Sequence, residues 1–365
     1  IITGCYVPVR DDIFLKGLKN LYKVFPIEDS ENISKKIIDF KEKKLENYLE
    51  KIDRLNDKKK AFIWSGKNTR FPFNSPYGYE YVKIAEGCDN RCSFCIIPKI
   101  RGKQTSRPIE DIIREIINLV NLGVKEIEII AQDTTRYGTD LYGESRLFEL
   151  LEEIEKLPLD FKFRLFYLYP DILTLDNIKK LKNFKKFIPY FDLPVQHISP
   201  KILKLMGRFY DDKHIFALLD YIKGEFKDAF LHTNFIVGFP GETEKEFDEL
   251  VNFSQKYEFD SVSLFGYHDE SLAGSSKLSD KVEEKIIRDR VEKLSKVLKV
   301  IYDKKDDSRK GKKLIGYIQD FDDKKVYVRR EYKAPEIDEL DIISTKDIIS
   351  GNIEIGEKVV YQYKK

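Results

Sequence analysis

Methionine occurs once in the 365 residues, and no run of about 18 apolar residues occurs at all. The first scarcity accompanies abundant lysine and isoleucine and is attributed to genome composition rather than to function. The second argues against a membrane span, and the opening residues do not form a cleavable signal. Net charge is nearly absent too, because 65 Lys+Arg face 63 Asp+Glu for a balance of +2, which by itself points to no acidic partner. Internal repeats and low-complexity tracts are missing. Cysteine is scarce, with four in the chain, and three of these fall within eight residues. Clustered cysteines without other pairing partners favour a reducing compartment, so a cytoplasmic protein is expected. An initiator methionine is also lacking. The chain opens Ile1-Ile2-Thr3-Gly4-Cys5, which reads as the end of a buried strand and is expected to belong to a fragment of a longer protein. What is present, 42% apolar and 13% aromatic residues, suffices for a large core and two or three domains.

The clustered cysteines are Cys88, Cys92 and Cys95, at spacing C-x3-C-x2-C in Glu86-Gly87-Cys88-Asp89-Asn90-Arg91-Cys92-Ser93-Phe94-Cys95. Three soft thiolates on one loop can hold three corners of an iron–sulfur or zinc centre and disfavour hard cations. A structural zinc site needs four closed ligands, and none of His197, His214, His232 and His268 is near in sequence. A [4Fe–4S] cluster held by three cysteines keeps one iron open for a ligand.

From Tyr77 strands and helices alternate. Strands are expected at Tyr79 to Ala85, Glu126 to Ala131, Lys162 to Leu168, Phe187 to Leu193, Phe230 to Val237 and Ser261 to Gly266. Between them, helices are expected after an N-cap at Ser106, over Ser145 to Lys156, over Thr174 to Lys182, in two pieces from Pro200 and Asp212, and after a Thr243/Glu246 capping box. A long charged helix follows, from about Val282 to Tyr302. This is an α/β pattern with a parallel sheet. After Asp306 short strands at Lys313 to Gln319, Lys325 to Arg330, Asp341 to Ser344 and Glu357 to Tyr363 suggest a small barrel. The Lys/Glu-rich stretch Asp39 to Lys60 reads as exposed helix or linker. Expected domains are therefore 1–60, 75–303 and 304–365.

Active sites of parallel barrels gather at the strands' C-terminal ends. There the chain has the cysteine loop, then Gln132-Asp133-Thr134-Thr135, then Pro194-Val195-Gln196-His197 with Arg208 shortly after, then Gly238-Phe239-Pro240-Gly241. Taken alone, the second is an ordinary polar turn, a lone histidine is more often structural than reactive, and a glycine-rich turn suits any α/β protein. An arginine fork at 208 suits a carboxylate, though a solvent-facing arginine fits the position equally.

The cysteine spacing, with an aromatic at Phe94, resembles the radical S-adenosylmethionine (SAM) signature. Gln132-Asp133-Thr134-Thr135, Pro194-Val195-Gln196-His197 and Ala334-Pro335-Glu336-Ile337-Asp338 resemble the ribosomal-protein-modifying branch of the methylthiotransferases within that superfamily. The resemblance implies a partial (βα)6 radical SAM barrel, a C-terminal TRAM module of oligonucleotide-binding type and a remnant of an N-terminal α/β domain. It implies a [4Fe–4S] cluster on Cys88, Cys92 and Cys95 whose open iron chelates SAM, with cleavage giving a 5′-deoxyadenosyl radical. Phe94, Gln132, Asp133, Arg208, Gly238 and Gly241 would line the SAM site, with Gln196 and His197 near the reacting centre. Cys5 would be the third ligand of a second [4Fe–4S] cluster, its other two ligands lying upstream of this sequence. The implied substrate is a specific aspartate of small-subunit ribosomal protein twelve, methylthiolated at its β-carbon, with flavodoxin or ferredoxin as electron donor. Nucleic acid could meet the TRAM module through the basic and aromatic run from Arg329, but the acids there disfavour it. Alternatives are a tRNA methylthiotransferase and, from another class, a zinc-stabilised nucleic-acid-binding protein.

Overall fold

All six expected strand starts between Tyr79 and Ser261 are strand starts in the structure. The computed structural model describes residues 2–3, 24–25 and 77–364. The strands are β1 (Tyr79–Lys83), β2 (Glu126–Ile130), β3 (Lys162–Leu165), β4 (Phe187–Asp192), β5 (Phe230–Val237) and β6 (Ser261–Gly266). They form one parallel sheet in the order β6-β5-β4-β3-β2-β1. Sequential parallel neighbours require a crossover after each strand. The main crossover helices are α1 (Ile109–Asn121), α2 (Leu147–Lys156), α3 (Leu175–Leu181), α4 (Pro200–Leu205), α5 (Asp212–Glu225) and α6 (Glu244–Tyr257). The last helix, α7, runs Glu284–Asp307, past the expected end at Tyr302.

Strand alternation places Ile127, Ile129, Phe163, Leu165, Phe191, Leu231, Phe235 and Val237 against helix residues such as Ile116, Leu151, Leu218, Leu250 and Leu294 in one continuous core. The capping boxes at Thr174 and Thr243 form, the latter with Glu246 as expected. The cap expected at Ser106 does not. Pro108 occupies the N-cap position of α1, while the Ser106 hydroxyl accepts from Gly138 N–H at 2.9 Å and the Ser106 N–H donates to Asp140 at 2.8 Å. Among the described residues no helix is long and apolar enough to cross a membrane.

The chain divides into two compact units. The first comprises Ile1–Trp64, Glu86–Asn90 and Ile96–Thr105; the second comprises Ser65–Ala85, Arg91–Cys95 and Ser106–Lys365. In the first, Ile2–Thr3 pairs in parallel with Val24–Phe25, and Arg101 of the turn Ile97–Arg101 meets Glu86 at 3.0 Å. The exposed helix or linker expected at 39–60 and the position of Cys5 lie outside the described residues.

In the second unit five antiparallel strands follow α7: β7 (Lys313–Phe321), β8 (Lys325–Arg330), β9 (Asp341–Ser344), β10 (Ile348–Ser350) and β11 (Lys358–Gln362), in the order β9-β8-β7-β11-β10. Their core is Ile318, Val326, Val328, Ile343, Val359, Tyr361 and Tyr363. Strand β10 was not among the expected ones; its three residues offer too little pattern to read.

The run Arg329 to Asp338 is largely engaged inside the protein, with Glu336 and Ile337 left exposed. Arg329 is buried and forks onto Glu126 of β2 at 2.9 and 3.0 Å; Arg330 pairs with Asp341 at 2.6 Å. Ala334 is buried among Phe166, Ile188, Tyr190 and Phe230 of the parallel sheet. Arg164 of β3 completes this join, meeting Glu126 at 2.5 Å, Glu128 at 2.7 Å and the Lys333 carbonyl at 3.1 Å. The two cations are spent on carboxylates inside the protein, so they offer nothing to a phosphate backbone.

Candidate active site

The second-unit part of the cysteine loop is held by its backbone. Ser93 donates from its N–H to the Met206 carbonyl at 2.9 Å and from its hydroxyl to the Leu205 carbonyl at 2.7 Å, and its own carbonyl accepts from Ser275 N–H at 2.7 Å. The turn after α4 therefore fixes the loop, and Gly207 permits the approach. Its φ is +72°, and a Cβ there would stand 2.5 Å from the Arg91 carbonyl oxygen. Gly207→Ala should thus displace the loop and cost about 1–3 kcal/mol, the strain of a non-glycine residue held at positive φ. Thermal unfolding and iron bound per chain both check this; wild-type values for both would refute it.

Beside the loop stands a buried arginine. Arg208 lies over the Tyr169 ring at 4.2 Å and the Phe94 ring at 5.6 Å. Its Nε and Nη1 have no hydrogen-bond acceptor. Burial opposes its charge, but Tyr210, Cys92, Tyr169 and Asp133 outweigh burial and hold the guanidinium above its ordinary pKa. The solvent-facing alternative is excluded: Arg208 is 6% exposed. Two unspent, charged donors inside the protein are costly unless an anionic ligand accepts from them. Phe94 packs against Ile202, Met206 and Phe239 under this cation. Tyr169 Oη lies 3.7 Å from Cys92 Sγ. On β5, the buried Asn234 Oδ1 also lacks a partner.

Other expected site residues are placed differently. His197 is fully buried; its Nδ1 accepts from Ser199 N–H at 3.0 Å, and its Nε2 lies 3.3 Å from Glu242 Oε2, neither Nε2 nor Oε2 making a hydrogen bond. Glu242 in turn accepts from Arg290 at 2.7 Å and from Gly238 N–H at 2.9 Å. Gln196 has φ +69° and bonds through its backbone to β5, donating to Asn234 at 2.8 Å and accepting from Ile236 at 2.9 Å. Asp133 accepts from Thr135 N–H at 2.9 Å and from its hydroxyl at 2.5 Å, closing its own turn. The reason for glycine at 238 is also local: φ is +75°, and a Cβ would stand 2.4 Å from Ile287 of α7. Gly241, at φ +85°, donates to the Asp280 carbonyl at 2.9 Å. Gln132 follows β2 and is half-buried.

In the first unit Cys88 is buried and its N–H donates to the Gly102 carbonyl at 3.2 Å. Gly87, at φ +79°, is needed there because a Cβ would meet the Lys103 carbonyl at 2.2 Å. Cys88, Cys92 and Cys95 carry thiol side chains available as soft donors. Among the described residues no three His, Cys, Asp or Glu side chains form a ready single-ion site. The donor chemistry, soft cysteine sulfurs on the loop and, in the second unit, Arg208 presenting unspent N–H groups beside Cys92, suits an iron–sulfur centre with an anionic partner. Sequence reasoning missed Tyr169 and gave no role to Ser93, Asn234 or Glu242, though these three lie within the runs it singled out. Tyr169 and Asn234 sit on or just after a strand, where a polar residue was a signal; Ser93 and Glu242 act through tertiary partners no spacing reveals.

The Radical SAM superfamily model matches residues 82–254. The ribosomal protein uS12 methylthiotransferase RimO of Carboxydothermus hydrogenoformans is 37% identical over 370 residues, covering 100% of this chain and 82% of the relative. The chain belongs to the RimO family of radical SAM methylthiotransferases. The RimO of Dictyoglomus thermophilum is likewise 37% identical, over 100% of this chain and 80% of its own. The coproporphyrinogen III oxidase HemN of Escherichia coli, a radical SAM enzyme, aligns with TM-score 0.46 and 20% identity over 62% of this chain and 54% of that one. Membership in the RimO family removes the zinc-only reading of the three cysteines.

Proposed function

We propose that this chain methylthiolates the β-carbon of a specific aspartate in small-subunit ribosomal protein uS12. The observation that carries the reading is Arg208, buried against Phe94 and Tyr169 beside Cys92 with two unspent N–H groups. A guanidinium fork in that setting matches the carboxylate of SAM. Cys88, Cys92 and Cys95 would each bind one iron of a [4Fe–4S] cluster, leaving the fourth iron for SAM. Cluster and SAM together supply the radical chemistry that an unactivated C–H bond demands and that side-chain acids and bases cannot provide.

The chain's own groups bind and orient. Arg208 anchors the ligand carboxylate, Phe94 excludes water from the loop, and Asn234 Oδ1 accepts from a donor on the same ligand. Gln132, Asp133, Gly238 and Gly241 form the strand-end rim, Asp133 by closing its turn and Gly238 by admitting Ile287. Gln196 and His197 would lie near the reacting centre, Gln196 held there by its backbone bonds to β5. In this reading residues 75–303 form a partial (βα)6 barrel, residues 304–365 a TRAM module, and residues 1–60 belong to the N-terminal methylthiotransferase domain, where Cys5 would hold a second cluster that provides sulfur. A reducing cytoplasm and a flavodoxin or ferredoxin donor suit this chemistry.

Mass spectrometry of ribosomal proteins from a strain lacking the gene tests the reading. Loss of the methylthio group from uS12, restored by the gene, is expected, with tRNA nucleosides unchanged. An unmodified uS12 in the parent strain, or loss of a tRNA methylthio nucleoside instead, would sink it.

A further inference from the structure

We propose that Tyr169 donates a hydrogen bond to the Cys92 sulfur and thereby raises the reduction potential of the cluster this loop carries. The proposal rests on the iron–sulfur reading above. Tyr169 lies four residues beyond the end of β3 and is buried. Its ring is fixed on two sides: Arg208 covers one face at 4.2 Å, and Tyr210 meets it edge-on with centroids 6.4 Å apart and planes at 79°. Tyr210 is itself tied down, its hydroxyl donating to the Val195 carbonyl at 2.8 Å. A ring so held has little freedom to turn its hydroxyl elsewhere. That hydroxyl lies 3.7 Å from Cys92 Sγ, within the range of a hydrogen bond to sulfur.

The direction of donation follows from chemistry. A phenol keeps its proton at neutral pH, and a metal-bound cysteine sulfur is a thiolate with no proton to give. The hydroxyl is then the donor. Reduction adds negative charge to the cluster, and part of it resides on the sulfurs. A donor at one sulfur stabilises the reduced state more than the oxidised one, which moves the potential upward. Arg208 adds to the effect, since a cation on the ring face polarises the phenol toward donation. Tyr169 is accordingly a positioning and tuning residue that acts through Cys92. It is not a catalytic one.

Tyr169→Phe removes the hydroxyl and keeps the ring. Both proteins, full chain, are loaded anaerobically with iron and sulfide, and the midpoint potential is measured by EPR-monitored redox titration without SAM. The expected result is equal iron content, a more negative midpoint potential in the variant and slower reductive cleavage of SAM. A hydroxyl that merely fills space would leave the potential where it is, and that result overturns the proposal. Should the phenylalanine variant fail to load, 3-fluorotyrosine at position 169, a stronger donor in the same ring, decides: a positive shift supports the proposal and no shift overturns it. A wild-type chain that takes up iron only as isolated ions overturns the iron–sulfur reading itself, and the proposal with it. A loaded wild type whose variants do not shift overturns the proposal alone.

Discussion

Cys92→Ala is expected to lose the iron of the radical SAM loop and to reduce SAM cleavage to background, while the chain stays folded. Both halves of that expectation come from the loop's construction. The cluster has three protein thiolates in the proposed reading, so losing one leaves two, and the open iron that would bind SAM is no longer held at a fixed corner. The fold, by contrast, does not depend on the thiol. Ser93 ties the loop to the Leu205 and Met206 carbonyls and to Ser275 through bonds that the substitution leaves in place. Circular dichroism and thermal unfolding near wild type, together with iron analysis and chromatography for 5′-deoxyadenosine, check the two halves separately. Cleavage at the wild-type rate in Cys92→Ala would refute the assignment of the cysteine triplet, whatever the fold does.

The largest effect on stability is expected from Arg164→Met. Arg164 is fully buried and contacts both Glu126 and Glu128, while Arg329 shares Glu126. Burial pushes Glu126 up, but Arg164 and Arg329 outweigh it and hold that carboxyl down at about 2. Glu128 goes the other way: burial raises it above the usual carboxylate range, with Arg164 opposing and the Glu126 charge adding to the rise. Methionine fills the volume and removes the cation, leaving two carboxyls in contact in the interior with Arg329 alone beside them. Breaking a buried pair by removing one partner costs about 3–5 kcal/mol, which for a domain of this size lowers the melting temperature by on the order of 10 °C. Adding Glu128→Gln should recover part of the loss, because it removes one of the stranded carboxyls. A melting temperature within a degree or two of wild type for Arg164→Met would show that the network carries no stability.

Most of the sheet was legible because its signal is local. The strand beginnings at Tyr79, Glu126, Lys162, Phe187, Phe230 and Ser261 follow from apolar runs bounded by turn residues. The end of β3 was not legible: it stops at Leu165, short of the expected Leu168. Tyr167 takes φ +57° and donates its N–H to Asp192 at 2.7 Å, a partner 25 residues on that no local pattern reveals. The charges of β2 and β3 were misleading in a related way. Glu126, Glu128 and Arg164 alternate with apolar residues as a solvated face does, yet the structure buries them under Arg329 and Ala334. At the site, residue type and spacing singled out the cysteines and Arg208 as candidates. They could not tell which groups meet the two nitrogens of His197, because Glu242 lies far along the chain.

The bond from Arg329 to Glu126 joins residues 203 apart in sequence. During synthesis, therefore, every strand of the parallel sheet leaves the ribosome before the cation that completes its charged interior exists. Local contacts cannot substitute for it, and closing a loop that long is a late event in folding. Until the C-terminal strands arrive, the nascent sheet holds two carboxyl groups and Arg164 facing an unfilled join, so the chain's own last segment acts as the closing step of its assembly.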